Sequence, residues 1–297
     1  MNQREQRILM VWAREYTAKG DNGPSTGELF TARGYNAISL LGMAMITFID
    51  NALELGQHCR LVSCEFNPQD FNAIPLQQLE QQWQITLPNK LQGAVTKRKA
   101  EFIAGRYCAK TAIQRLPLQQ SPLQQSPLQE PPLHQASSQF SAIGIGEKRQ
   151  PLWPRGIVGS ITHSHGFAAA AVADTTSARS LGIDSEYMIN EKTASNIACH
   201  ILREEENYCD NQQLVDNDIA YLTLIFSAKE SIFKCLHPLV HQYFDFKDAT
   251  ISLSTSKTNR FEYVLQKNLN DEFCQGFTGE GIYRFDRDFI HTAVLLT

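Results

Sequence analysis

The sequence predicts an α+β fold, and three observations carry that prediction. Short apolar segments bounded by turn residues recur along the chain, and most can pair antiparallel with a sequence neighbour. Two longer segments read instead as helices, and in one of them apolar residues at 219, 222, 226, 233 and 236 recur at heptad-like spacing. Composition agrees with a folded core: 42% of the 297 residues are apolar and 20% are charged, long enough for one large domain or two modest ones.

Taken in order, Arg7–Tyr16 fits an amphipathic helix, followed by the Gly/Pro/Ser-rich stretch GDNGPSTG at 20–27. No site spacing occurs there, so residues 1–42 are read as an N-terminal appendage. Arg60–Phe66 is the first well-marked strand and Lys97–Arg115 the first long helix. Residues 117–136 are four successive pentads, PLQQS, PLQQS, PLQEP and PLHQA, which hold five of the twelve prolines. Proline at that frequency prevents helix, and Gln and Ser give little to bury, so the segment is read as a loop. Ile157–Thr162 and Phe167–Ala173 form a β-hairpin around His163-Ser-His-Gly166. Ser180–Glu186 is a further strand, Asp218–Leu236 the second long helix, and strands at Thr250–Leu253, Phe261–Leu265, Gly281–Asp286 and His291–Leu296 complete the pattern.

The charge balance narrows the function classes. Lys plus Arg number 27 against 31 Asp plus Glu, a formal charge of -4. A nucleic-acid substrate held by a basic surface is therefore not expected, whereas a small anion in a local pocket remains open. Seven cysteines, an odd number with no CxxC, form neither a disulfide scaffold nor a zinc ribbon, which points to a reducing cytosol. The apolar run 38–49 is too short to cross a bilayer. A monomer is expected.

Four segments have residue types that could carry chemistry. Thr223, Ser227, Glu230 and Lys234 share one helical face; the alternatives are a solvated face with an i,i+4 pair, or a capping box at 227–230. In the strand LGIDSE, Asp184 and Glu186 point to one side, and with Glu230 they would offer three oxygen ligands to Mg²⁺; a strand end reaching solvent is the plainer alternative. In SITHSH, Thr162 and His163 could meet a phosphate, while His165 is read as a surface histidine. Arg98 and Arg106 lie about two helical turns apart, and Lys148 and Arg149 precede a Pro/Trp turn; arginine's planar fork suits phosphate oxygens.

In this order and spacing, RKAEFIAGRYCA (98–109), GEKRQPLWPRGIVGSITHS (146–164), LGIDSE (181–186) and FSAKESIFKC (226–235) resemble the 4′-phosphopantetheinyl transferase superfamily, of the enterobactin synthase component D type. CEFNPQDF (64–71) resembles the strand that opens that fold, and the likeness covers about 55–296. It implies two similar α+β subdomains, 43–179 and 180–297, related by a pseudo-twofold, with coenzyme A in the cleft between them. It implies transfer of the phosphopantetheine arm to a serine of an apo-carrier protein, with release of adenosine 3′,5′-bisphosphate, in siderophore (enterobactin-like) or other nonribosomal peptide synthesis. Carried over residue by residue, Asp184, Glu186 and Glu230 would ligate Mg²⁺, and Arg98, Arg106, Lys148 (or Arg149, which aligns equally well), Thr162 and His163 would hold the nucleotide and pyrophosphate. Glu230, or a water bound to the metal, would take the serine proton, and Lys234 would neutralise charge on the transferred phosphoryl group. The turn departs from the family in having Ser164 where many relatives have cysteine. The alternative chemistry is a Mg²⁺-dependent nucleotide hydrolase using the same three acids, with water replacing the carrier serine.

Overall fold

The computed structural model describes residues 46–49, 53, 55–72, 74–116, 143–147, 149–207 and 218–297. The chain divides into two compact units at Arg33/Gly34, and all described residues belong to the second. The expected appendage at 1–42, the pentads at 117–136 and Lys148 lie outside the described residues.

Two antiparallel sheets form the frame. The first has four strands, β1 (Ile46–Ile49), β2 (Cys59–Phe66), β5 (Ile157–Ser164) and β6 (Phe167–Asp174), in the order β1-β2-β6-β5. The second has five, β7 (Ser180–Tyr187), β8 (Ala249–Leu253), β9 (Arg260–Leu265), β10 (Thr278–Asp286) and β11 (Phe289–Leu296), in the order β7-β11-β10-β9-β8. A two-stranded ribbon pairs β3 (Gly144–Ile145) with β4 (Pro151–Leu152). Helices α1 (Leu76–Trp83), α2 (Asn89–Gln92) and α3 (Thr96–Arg115) precede the hairpin, and α4 (Glu191–Ile201), α5 (Glu204–Asn207) and α6 (Asp218–Val240) follow β7.

Small side chains bring these layers close. β6 reads FAAAAVAD, and from Phe167 to Ala173 it is buried on both faces. On one face Ala168, Ala170 and Val172 meet Ala100, Ile103, Ala104 and Cys108 of α3. On the other, Phe167, Ala169, Ala171 and Ala173 meet Leu181 and Ile183 of β7 and Ala293 of β11. Alanine loses little side-chain entropy on burial, and its short side chain allows helix and sheet to pack on both faces of one strand.

Three expectations are revised. The hairpin turn is only His165-Gly166, with φ of 46° and 79°, the two left-handed positions of a type I′ turn. His163 and Ser164 are therefore strand residues, and the backbone of 163 is engaged in pairing. The second helix runs one turn further than expected, through Pro238 to Val240. Ser227–Glu230 sits in its interior, so the capping-box alternative does not apply, and the Thr223/Ser227 face is not solvated, because both residues are fully buried.

Candidate active site

The edge strands β5 and β7 run side by side, stitched by side chains instead of a backbone ladder. Ser160, Thr162 and Ser164 alternate along β5 and present three hydroxyls to one side. Ser160 Oγ accepts the Ile183 N–H at 3.0 Å, and Thr162 Oγ1 accepts the Ser185 N–H at 3.1 Å. Thr162 also donates to Asp184 Oδ1 at 3.1 Å, and Ser164 donates to Glu186 Oε2 at 3.0 Å. The hydroxyls of one sheet thus hold the two carboxylates of the other.

Helix α6 supplies the opposite wall. A Cβ at Gly182 would lie 2.0 Å from the Ser231 carbonyl oxygen and 2.6 Å from the Cys235 nitrogen, so only glycine lets β7 cross the helix there. Ser227 and Thr292 fix the same crossing from β11, with their hydroxyls 2.9 Å apart. Lys234 Nζ then reaches Asp184 Oδ1 at 2.6 Å. The other oxygen, Asp184 Oδ2, is buried and has no hydrogen-bond partner.

The electrostatics reflect crowded acids. Burial, reinforced by Asp184 and to a smaller extent by Glu230, holds the Glu186 carboxyl well above the usual range against Ser164 and Lys234. Burial pushes Glu230 up to about 7, with Lys234 opposing and Asp184 adding to the rise. Burial alone would lower the Lys234 ammonium, but Asp184 and Glu230 outweigh it and raise it. Among the described residues, no group of three or more His, Cys, Asp or Glu side chains is arranged to hold a metal ion as it stands. The donor chemistry nevertheless suits a hard cation: carboxylate oxygens of Asp184, Glu186 and Glu230, one of them buried without a partner.

A second cluster joins α3 to β5. Arg98 Nη1 lies 2.9 Å from His163 Nε2 and 3.4 Å from Glu101 Oε2, and His163 Nδ1 is 3.6 Å from the same Glu101 oxygen. Burial, with Arg98 and Lys234, pushes the His163 imidazole down to about 3, so it is neutral at physiological pH. Glu101 was not among the residues expected from sequence; an acidic residue three places after Arg98 in a basic helix start reads there as a solvated pair.

The structure does not bring Arg106 into this cluster. Its side chain is buried over the Phe102 ring, 4.8 Å from the centroid. Its guanidinium donates to the Ile143 carbonyl at 3.0 Å and the Gly144 carbonyl at 3.2 Å. Burial, then the charge of Arg98, lowers it to about 10. Arg106 therefore anchors the ribbon strand β3. His165 is a turn residue, as expected, its ring 4.8 Å from that of Tyr187.

Known proteins similar to this chain are transferases. Residues 180–292 match the model of the 4′-phosphopantetheinyl transferase superfamily, and residues 87–138 and 132–173 match that of the 4′-phosphopantetheinyl transferase N-terminal domain. The chain is 30% identical over 237 residues to the 4′-phosphopantetheinyl transferase Npt of Nocardia iowensis, covering 76% of this chain and 90% of that protein. It is 28% identical over 207 residues to the 4′-phosphopantetheinyl transferase PptT of Mycobacterium tuberculosis, covering 68% and 81%. To the enterobactin synthase component D of Salmonella typhimurium it is 34% identical over 165 residues, covering 56% of this chain and 59% of that protein. The chain belongs to the 4′-phosphopantetheinyl transferase superfamily and is an enzyme of that class.

Proposed function

We propose that the protein transfers the 4′-phosphopantetheine arm of coenzyme A to a serine of an apo-carrier protein in a Mg²⁺-dependent reaction. The observation that carries this reading is the cluster of Asp184, Glu186, Glu230 and Lys234, with a partnerless buried oxygen on Asp184. Its support from relatives is the shared class of Npt, PptT and enterobactin synthase component D. No observation favours the hydrolase separately.

The chemistry assigned to the residues follows from their placement. Asp184, Glu186 and Glu230 would hold the magnesium, which when bound offsets the negative charge of the pyrophosphate. Glu230, one helical turn before Lys234, is assigned to take the proton of the carrier serine. The serine oxygen forms a bond to the phosphorus that bears pantetheine, and the bond from that phosphorus to the bridging oxygen breaks. Adenosine 3′,5′-bisphosphate leaves with the electron pair. Lys234, a raised and therefore firmly protonated ammonium, sits where it can neutralise charge on the transferred group. Arg98 and His163, with Lys148, are assigned to the nucleotide phosphates. Thr162 is assigned to holding Asp184, and Arg106 to fixing the strand that leads to 148.

The two sheets are taken as the centres of two subdomains, 43–179 and 180–297, related by a pseudo-twofold with the substrate cleft between them. The carrier is assigned to a siderophore-producing or other nonribosomal peptide synthetase, on the likeness to enterobactin synthase component D. The test is incubation with coenzyme A, Mg²⁺ and an apo-carrier of that class, read by intact mass. One phosphopantetheine should be gained by the wild-type carrier and none by a carrier whose serine is changed to alanine; no gain on any carrier overturns the reading.

A further inference from the structure

Glu101 has a place in the substrate site that the transfer chemistry does not use. It lies one turn along α3 from Arg98, and its side chain is 12% exposed, against 46% for Arg98. A solvated surface pair would leave both exposed. Burial raises the Glu101 carboxyl, and Arg98 and Lys97 partly offset that rise. An enclosed carboxylate of this kind is costly unless its partners use it.

The partners define the use. Arginine has only donors, so the 2.9 Å contact from Arg98 Nη1 requires an unprotonated Nε2 on His163. Neutral imidazole then carries its proton on Nδ1, and Nδ1 is the nitrogen that faces Glu101 Oε2 at 3.6 Å. The same oxygen faces Arg98 Nη1 at 3.4 Å. Arg98 thus sets the tautomer of the histidine, and one carboxylate oxygen, beside both groups, sets the direction of the arginine fork. The backbone of His163 itself is a further partner of the ring, and the other charges beside it, Lys234 and Lys97, are cations.

We propose that Glu101 is a positioning residue: it fixes the orientation of Arg98, and through Arg98 the Nδ1–H tautomer of His163, so that both are aligned before a nucleotide phosphate arrives. This rests on the reading that Arg98 and His163 meet that phosphate. Alignment in advance lowers the ordering cost of binding, so its loss appears in affinity and not in the chemical step.

The test combines NMR with kinetics on the full chain. Long-range ¹H–¹⁵N spectra, with His163 assigned by the signals missing from His163→Gln, should show the Nδ1–H form in the wild-type protein. In Glu101→Ala that pattern should shift toward Nε2–H, and the near-isosteric Glu101→Gln, which keeps a carbonyl oxygen able to accept, should lie between. The KM for coenzyme A should rise about tenfold, with kcat changed less than twofold. An Nε2–H wild type overturns the proposal without any variant. Unchanged tautomer and KM in Glu101→Ala, where Arg98→Ala does raise KM, overturns it while leaving the phosphate site standing. If Arg98→Ala leaves KM unchanged, the phosphate-site reading itself falls.

Discussion

Lys234 Nζ lies 2.6 Å from one oxygen of Asp184, while the other oxygen of the same carboxylate is buried without a partner. Helix α6 and strand β7 thereby share one charge pair and leave one acceptor open beside two further acids. Such a set is unfavourable until positive charge is added, and it lies at the close crossing that Gly182 permits.

Glu230→Gln keeps the shape of the side chain and removes its capacity to take a proton. The turnover number should fall about 10²–10⁴-fold with the circular dichroism spectrum unchanged. Turnover within a few-fold of wild type in a transfer assay at saturating Mg²⁺ would show that the base lies elsewhere.

How much of this could be read from the residues depends on where faces alone decide. Spacing of two on a strand and four on a helix puts Asp184 with Glu186, and Glu230 with Lys234, and those pairs were legible. Whether the Thr223–Lys234 face meets water or another element was not, because the decision is made by the contact of Gly182 with the Ser231 backbone, far away in sequence. Arg106 shows the limit of a helical count: eight residues rotate a side chain about 80° from its starting direction, enough to turn it from Arg98's exposed side into the core. The hydroxyls of Ser160, Thr162 and Ser164 do follow the period of a strand. Ser160 and Thr162 lie within the strand expected at 157–162; only Ser164 falls in the turn expected at 163–166, and the structure keeps it on the strand.

Thr162→Val removes both a donor to Asp184 and the acceptor of the Ser185 N–H. The Ser185 N–H loses its acceptor and Asp184 Oδ1 is left with Lys234 as its donor, so stability should fall by about 1–3 kcal/mol in a denaturant melt. Serine at the same position should recover most of it. A valine variant as stable as wild type would mean the stitch between β5 and β7 contributes nothing.

Arg98→Ala and Arg106→Ala should separate cleanly. The first should raise the KM for coenzyme A about tenfold at unchanged melting temperature. The second leaves the Ile143 and Gly144 carbonyls without their donor and should lower stability by about 1–3 kcal/mol. Steady-state kinetics paired with thermal melts decides, and equal effects of both variants on KM alone would contradict the structural assignment of Arg106.

His291 is buried, with its Nδ1 2.9 Å from Ser185 Oγ, and burial lowers it to about 4 from an ordinary 6.5. The unfolded chain therefore takes up this proton first as pH falls. The stability His291 contributes is full above about pH 6.5 and is lost as the pH approaches 4. His291→Gln should flatten that part of the melting-temperature profile relative to wild type. Parallel profiles for the two proteins would contradict the assignment.

The most direct test of the transfer reading follows phosphorus. In a ³¹P NMR time course with coenzyme A, Mg²⁺ and an apo-carrier, adenosine 3′,5′-bisphosphate and phosphopantetheinyl-serine should appear together, one for one, and neither should form in Asp184→Ala. Nucleotide released without carrier modification, at the same rate whether or not the carrier is present, would contradict it.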